Sequence, residues 1–123
     1  MIGGHISMSF KFQVTSRFER SIKRLKKRFP KITKDIAKAF EEIEANPEIG
    51  VIIPDDFNIR KLRLASTDMK RGKSGGYRLL YKLLDDEENI SATILFIYAK
   101  TDQSDIASTF LGLLDEDAEI DEN

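Results

Sequence analysis

Three strand-like stretches follow one another in the second half of the chain, and they constrain the fold more than any other feature. Residues 59 to 64 alternate basic and apolar side chains, residues 77 to 84 form a second strand pattern, and residues 91 to 99 are the most apolar. The acidic run from 85 to 89 is typical of a hairpin turn. Consecutive strands with short links form an antiparallel sheet, so helices should pack on one face and leave the other open.

The first half of the chain predicts one further strand and two helices. Residues 10 to 14 alternate apolar and polar side chains, as in a strand that buries one face. A helix follows, which Thr15 or Ser16 can cap and which Pro30 ends. A second helix begins at Thr33 and is closed by Asn46-Pro47. Two helices with so short a link should form an antiparallel hairpin. A last helix is predicted from about residue 103 to 114. Its inward residues would be Ile106, Phe110, Leu113 and Leu114.

These elements predict a single α+β domain over residues 1 to 123. It would contain an antiparallel sheet of about four strands, an N-terminal helical hairpin on one face and a short C-terminal helix. We expect the core to extend from about residue 8 to 114, and the acidic residues 115 to 123 to be a disordered tail. A length of 123 residues and a hydrophobic fraction of 41% are those of one small globular domain.

Composition excludes several classes of protein. No apolar run approaches the roughly 18 residues that a membrane helix needs, and the N-terminus has no signal-peptide pattern. The chain has no cysteine, which excludes disulfides, thiolate metal sites and thiol nucleophiles. We therefore expect a cytoplasmic protein without a membrane partner, a metal or a cofactor.

The net charge of −1 conceals a strong segregation of charge. Residues 1 to 84 hold 19 Lys and Arg against 9 Asp and Glu, whereas residues 85 to 123 hold 1 Lys against 12 acids. A basic surface of this size attracts polyanions and speeds encounter with them.

A glycine-rich cationic loop leads directly into the strand that begins at residue 77. Lys73 lies among Gly72, Gly75 and Gly76, and Arg78 is the second residue of the strand. Arginine on a rigid element suits phosphate, because its planar fork meets two phosphate oxygens with parallel hydrogen bonds. The loop therefore predicts a phosphate-rich partner, with nucleic acid as the first candidate. The alternative is a structural ion pair of Arg78 with an acid such as Asp102 or Asp68.

Several short segments, in the same order, resemble RelE/ParE superfamily toxins of type II toxin–antitoxin systems, in particular RelE- or HigB-type toxins. They are Arg28-Phe29-Pro30, Asn46-Pro47, residues 60 to 64, residues 72 to 81 and residues 97 to 106. The resemblance covers about residues 8 to 107. It implies a small antiparallel sheet with a helical hairpin, and a metal-independent endoribonuclease that cuts mRNA in the ribosomal A site and so inhibits translation. It also implies a cognate antitoxin. The toxin would bind operator DNA only as part of its complex with that antitoxin.

The resemblance assigns Arg78 to the scissile phosphate. Lys73 and Lys100 are the other catalytic candidates, while His5, the one histidine of the chain, is not expected to act in catalysis. The candidates for contacts with RNA or the ribosome are Arg60, Lys61, Arg63, Lys70, Arg71, Lys23 and Lys27.

Two positions depart from the RelE pattern. Thr101 stands where RelE carries an arginine, and Ala107 stands where RelE carries a tyrosine. Tyr98, Asp102 or Lys100 would have to supply the missing acid or base. Three functions stay open: a ribosome-dependent RNase, a ParE-like inhibitor of DNA gyrase, and a non-catalytic relative that binds only its antitoxin and operator DNA.

Overall fold

The structure is a computed structural model that describes residues 9 to 70, residue 72, residues 75 to 85 and residues 89 to 121. The elements, in chain order, are β1 (Ser9–Val14), α1 (Ser16–Lys26), α2 (Ile32–Ala45), β2 (Val51–Ile52), β3 (Ile59–Leu64), β4 (Tyr77–Asp85), β5 (Asn89–Ala99) and α3 (Ser108–Asp121). The predicted α+β class is confirmed. No helix of the described residues is long and apolar enough to cross a membrane.

The sheet has five strands in the order β1-β5-β4-β3-β2, one more than predicted. Strands β3, β4 and β5 pair antiparallel, as expected, and β2 pairs antiparallel with β3. Strand β1 pairs parallel with β5, so the sheet is not wholly antiparallel as predicted. The additional strand is β2, which spans two exposed residues and pairs with β3 through Val51 and Ile52. A strand of two residues is too short to show alternation, so its sequence gives no strand pattern.

Helices α1 and α2 pack on the first face of the sheet. The Oγ1 of Thr15 accepts a hydrogen bond from the backbone N–H of Phe18 at 3.1 Å, which caps α1 as predicted. Each helix buries one apolar stripe against alternate residues of the strands. This first core includes Phe18, Leu25, Ile32, Ile36 and Ile43 from the helices, with Leu62, Tyr77, Leu79, Tyr81 and Ile94 from the strands.

Helix α3 covers part of the second face, so the expectation of an open face is wrong. Its buried residues are Leu111, Leu114 and Ala118, at helical spacing, and they pack against Ile59, Leu80 and Leu95 of the strands. Leu113, predicted to point inward, is 44% exposed. Three leucines within four positions fit more than one helical phase, and the sheet selects the phase that buries Leu111 and Leu114.

The acidic segment after residue 114 is helical as far as Asp121, where a disordered tail was expected. Asp115 accepts a hydrogen bond from Nζ of Lys82 on β4 at 2.6 Å, and Asp117 accepts one from Nε of Arg17 on α1 at 2.6 Å. Ala118 is buried, so the core extends beyond its predicted limit. The acids are ordered because they meet cations of the folded domain, and the sequence alone does not show those pairs.

Replacing Tyr81 with phenylalanine should destabilise the protein by about 1–3 kcal/mol, because it leaves two polar backbone groups without a partner. The Tyr81 hydroxyl donates to the carbonyl of Pro47 at 2.7 Å and accepts from the N–H of Gly50 at 2.9 Å, which fixes the segment before β2. Urea unfolding measures the loss. Tyr77→Phe is the matched control, since the Tyr77 hydroxyl accepts from the rotatable side-chain hydroxyl of Ser66 at 3.1 Å. Equal losses in the two variants would contradict the backbone argument.

Candidate functional site

The strand arginine lies in a row of three residues that runs across the sheet. Arg63 on β3 is opposite Arg78 on β4, and Arg78 is opposite Tyr98 on β5. All three side chains project from the second face of the sheet, because Leu79, which alternates with Arg78, belongs to the first core. We call these three residues the Arg78 row. The pairing places two cations and a phenol side by side, as a site for an anion requires.

Arg78 is nevertheless almost fully enclosed. Its residue is 4% exposed, and its Nη1 donates to the carbonyl of Tyr77 at 3.1 Å. Burial, and then repulsion from Arg63, lower the pKa of Arg78 from the ordinary arginine value. The two acids named as alternative partners have contacts elsewhere: Asp102 pairs with Arg28, and Asp68 accepts from the backbone N–H of Lys31. A phosphate could reach the Arg78 fork only if the surrounding residues moved.

Tyr98 is the third member of the row and is also 4% exposed. Its hydroxyl is buried and has no hydrogen-bond partner among the described residues. Burial raises the pKa of Tyr98, and the nearby Arg78 offsets part of that rise. A phenol with a raised pKa is protonated at neutral pH, so it can donate a proton but cannot act as a base there.

Lys100 follows directly after β5 and is half-buried. Its backbone N–H donates to the carbonyl of Gly76 at 2.9 Å, which joins the end of the glycine-rich loop to the end of β5. Lys73 and Arg71 lie outside the described residues, as does His5. Lys70 is exposed and has a φ of 53°, an uncommon value for a residue with a side chain.

The other five predicted RNA-binding residues divide into three groups. Arg60 holds the chain before β2, since its Nη1 donates to the carbonyls of Glu48 at 3.1 Å and Gly50 at 2.7 Å. Lys61 and Arg63 share the second face with Arg78 and line a shallow groove of about 500 Å³ at the β2 edge, beside Val51. Lys23 and Lys27 are exposed on and just after α1, which packs on the first face, so the sheet does not bring them to the Arg78 row.

A second basic site was missed by sequence reasoning. Two small adjoining cavities lie between α1 and the β5–α3 side of the sheet, and Arg20, Arg24, Phe96 and Phe110 line them. We call this site the arginine groove. The available signal was the spacing of arginines at 17, 20, 24 and 28, which places them on one face of α1. The aromatic residues could not be added without knowing where α3 packs.

The described residues contain no group of three or more His, Cys, Asp or Glu that could hold a metal ion. Comparison with protein families matches residues 12 to 102 to the ParE toxin of the type II toxin–antitoxin system parDE. The matched segment runs from β1 to just after β5 and contains the whole Arg78 row. The chain therefore belongs to the ParE toxin family, within the RelE/ParE superfamily of type II toxin–antitoxin toxins.

Proposed function

We propose that this toxin inhibits DNA gyrase by binding to it, and that it does not cut RNA. Its membership of a type II toxin–antitoxin family implies a cognate antitoxin as partner, and the ParE family supports the gyrase alternative over the ribosomal one. The observation that carries the proposal is the enclosure of Arg78, which is 4% exposed. A guanidinium that stabilises a pentavalent phosphate must be able to contact it.

The chemistry of RNA cleavage supports the same choice. Cleavage without a metal requires a base for the 2′-OH, a cation for the phosphate and an acid for the leaving oxygen. The positions at which RelE carries an arginine and a tyrosine are here Thr101 and Ala107, and both are exposed. Tyr98 has a raised pKa and therefore lacks the properties of a base at neutral pH. Binding to a protein requires none of these groups.

The groove beside the sheet edge offers a surface for such binding. Val51 is 72% exposed and lies beside Lys61 and Arg63 in this groove, and the adjacent Ile52, opposite Arg60, is 43% exposed. Exposed apolar side chains that adjoin charged ones are typical of protein-binding surfaces.

The second candidate function is a ribosome-dependent RNase. The Arg78 row favours it, since the row aligns two arginines and a tyrosine on one face of the sheet.

Two assays on the purified chain distinguish these functions. We expect the chain to stop the supercoiling of relaxed plasmid by purified gyrase, and to leave mRNA intact in a purified translation system. Addition of the antitoxin should restore supercoiling, which controls for a non-specific effect of the preparation. Codon-positioned cuts in the mRNA, with supercoiling unaffected, would contradict the proposal.

Arg78→Met extends the test to the predicted catalytic residue. The substitution keeps most of the buried volume and removes a charge that burial disfavours, and circular dichroism checks that the variant is folded. We expect it to inhibit gyrase about as well as the parent chain. If Arg78 instead stabilises a phosphate, toxicity should fall about 100-fold or more, as for the loss of one transition-state donor. Lys38→Met, at an exposed position of α2 on the first face of the sheet, controls for the general loss of positive charge.

A further inference from the structure

The arginine groove belongs to a row of four cations on α1 and at its end. Arg17, Arg20, Arg24 and Arg28 are spaced by three, four and four residues, so their side chains leave the helix on the same face. This row belongs to α1, whereas Arg63 and Arg78 belong to the sheet, and the two sites adjoin at Tyr98, which also lines the smaller cavity of the groove. The family assignment and the proposed gyrase function leave it without a role.

Both ends of the row already bind carboxylates of the same chain. Arg17 pairs with Asp117 of α3 at 2.6 Å, and Arg28 contacts Asp102 through both Nη atoms, one of them at 3.2 Å. Arg17 also lies over the ring of Phe110, 5.6 Å from its centroid. The two pairs show which anion this face of α1 accepts: a carboxylate that meets the planar guanidinium fork.

The two middle arginines are exposed and have no ionic or hydrogen-bonded partner within the part of the chain that the structure describes. Arg20 lines the larger cavity, of about 170 Å³, and Arg24 lines both this cavity and the smaller one, of about 80 Å³. The two cavities also share Ser21 and Phe96. Phe96 and Phe110 meet edge to face at 4.9 Å and are only partly buried. The groove therefore combines an unpartnered pair of cations with an apolar aromatic wall.

We propose that the arginine groove docks an acidic segment of the antitoxin. Two carboxylates of that segment, one helical turn apart, pair with Arg20 and Arg24, and an apolar side chain packs on Phe96 and Phe110. The cation spacing matches, because residues four apart on a helix are neighbours at about 5–6 Å. The proposal rests on the family assignment and is independent of whether the target is gyrase or mRNA.

Size and charge both favour a peptide over nucleic acid in this groove. Ligand pockets commonly measure about 300–1,000 Å³, so cavities of this size suit single side chains. A nucleic-acid backbone that continued along the row in either direction would meet the carboxylate of Asp117 or Asp102. Arg20 and Arg24 lie between two arginines that carboxylates already neutralise, so the free positive charge of the row suits a short peptide motif with two acids.

The test is antitoxin binding by titration calorimetry, with the full-length chain and the antitoxin of its own toxin–antitoxin pair. We expect Arg20→Glu/Arg24→Glu to weaken binding about 100-fold, since reversal places like charges opposite each other. Lys34→Glu/Lys38→Glu is the matched control: it makes the same charge change at the same spacing on α2, at two exposed positions. The control variant should weaken antitoxin binding only a few-fold, because its charges act on the antitoxin only at long range, where salt screens them. Circular dichroism and thermal unfolding confirm that both variants are folded.

A second measurement reports on proximity and does not depend on affinity. Benzoylphenylalanine placed at position 24 should form a photo-crosslink to the antitoxin, and the same group at position 38 should not. Equal weakening by the two charge reversals, together with no crosslink from position 24, would overturn the proposal. The proposal would also be overturned if Arg20→Glu/Arg24→Glu left antitoxin binding unchanged and reduced binding to gyrase or to a single-stranded RNA oligonucleotide. The groove would then contact the target of the toxin.

Discussion

Replacing Gly76 with alanine should destabilise the protein by about 3 kcal/mol or more, at the upper end of what overpacking costs. A Cβ atom at Gly76 would lie 2.0 Å from the carbonyl oxygen of Leu64 and 3.0 Å from the backbone N of Ser66. These are backbone atoms at the end of β3, so they cannot move aside as a flexible side chain could. The substitution must separate β3 from the start of β4, next to Arg78, and urea unfolding measures the cost.

Gly72→Ala is the matched control in the same loop. No heavy atom lies within 4 Å of a Cβ atom built at Gly72, and its φ is not positive. We expect a change of at most about 1 kcal/mol, in the stabilising direction, because alanine restricts the unfolded chain. If Gly76→Ala unfolds at the same urea concentration as Gly72→Ala, the close approach of the two strands is not a constraint on the fold.

Leu114→Ala should destabilise the protein by about 2–5 kcal/mol, the usual cost of truncating a buried leucine. Leu114 is 0% exposed and lies between α3 and the second face of the sheet, so its removal leaves a cavity there. Leu113→Ala, one position earlier and 44% exposed, should cost about 0.5 kcal/mol or less. Urea unfolding of the two variants, with hydrogen exchange of α3 amides, checks both values. A larger loss in Leu113→Ala would contradict the packing phase of α3 in the structure.

The sequence predicts the parts of the fold that depend on local pattern. The alternation in β3, the cap at Thr15 and the stop at Pro30 each fix an element through short-range physics, and the structure has all of them. Helix α3 is different, since the partners of its acids are distant in sequence. Asp117 lies 100 residues from Arg17, and Asp115 lies 33 residues from Lys82. Without those partners, an acidic run has the composition of a disordered tail.

The candidate site shows the same division. Arg78 could be placed on a strand from its sequence, but its enclosure depends on the register of three strands and on the segments that cover them. The register shift opposite Leu80/Tyr81 adds one residue to β5, where the neighbours Leu95 and Phe96 both lie on the second face, so side-chain direction could not be extended from one end of β5 to the other. The arginine groove depends on a helix whose packing phase was ambiguous. The basic character of both sites was predictable from the composition, whereas the solvent accessibility of their side chains was not.

The brevity of β2 affects how copies of this chain meet in a crowded solution. A sheet edge presents unpaired backbone groups, and a long apolar edge acts as a template for fibrillar aggregation. The sheet has two edge strands, β1 of six residues and β2, which spans Val51–Ile52 only. At the β2 edge the side chain of Arg60 also donates to two carbonyls of the segment that precedes the strand. The β2 edge can therefore expose a valine and an isoleucine for side-chain contacts, while it offers a neighbouring molecule too few backbone groups to start an amyloid-like stack.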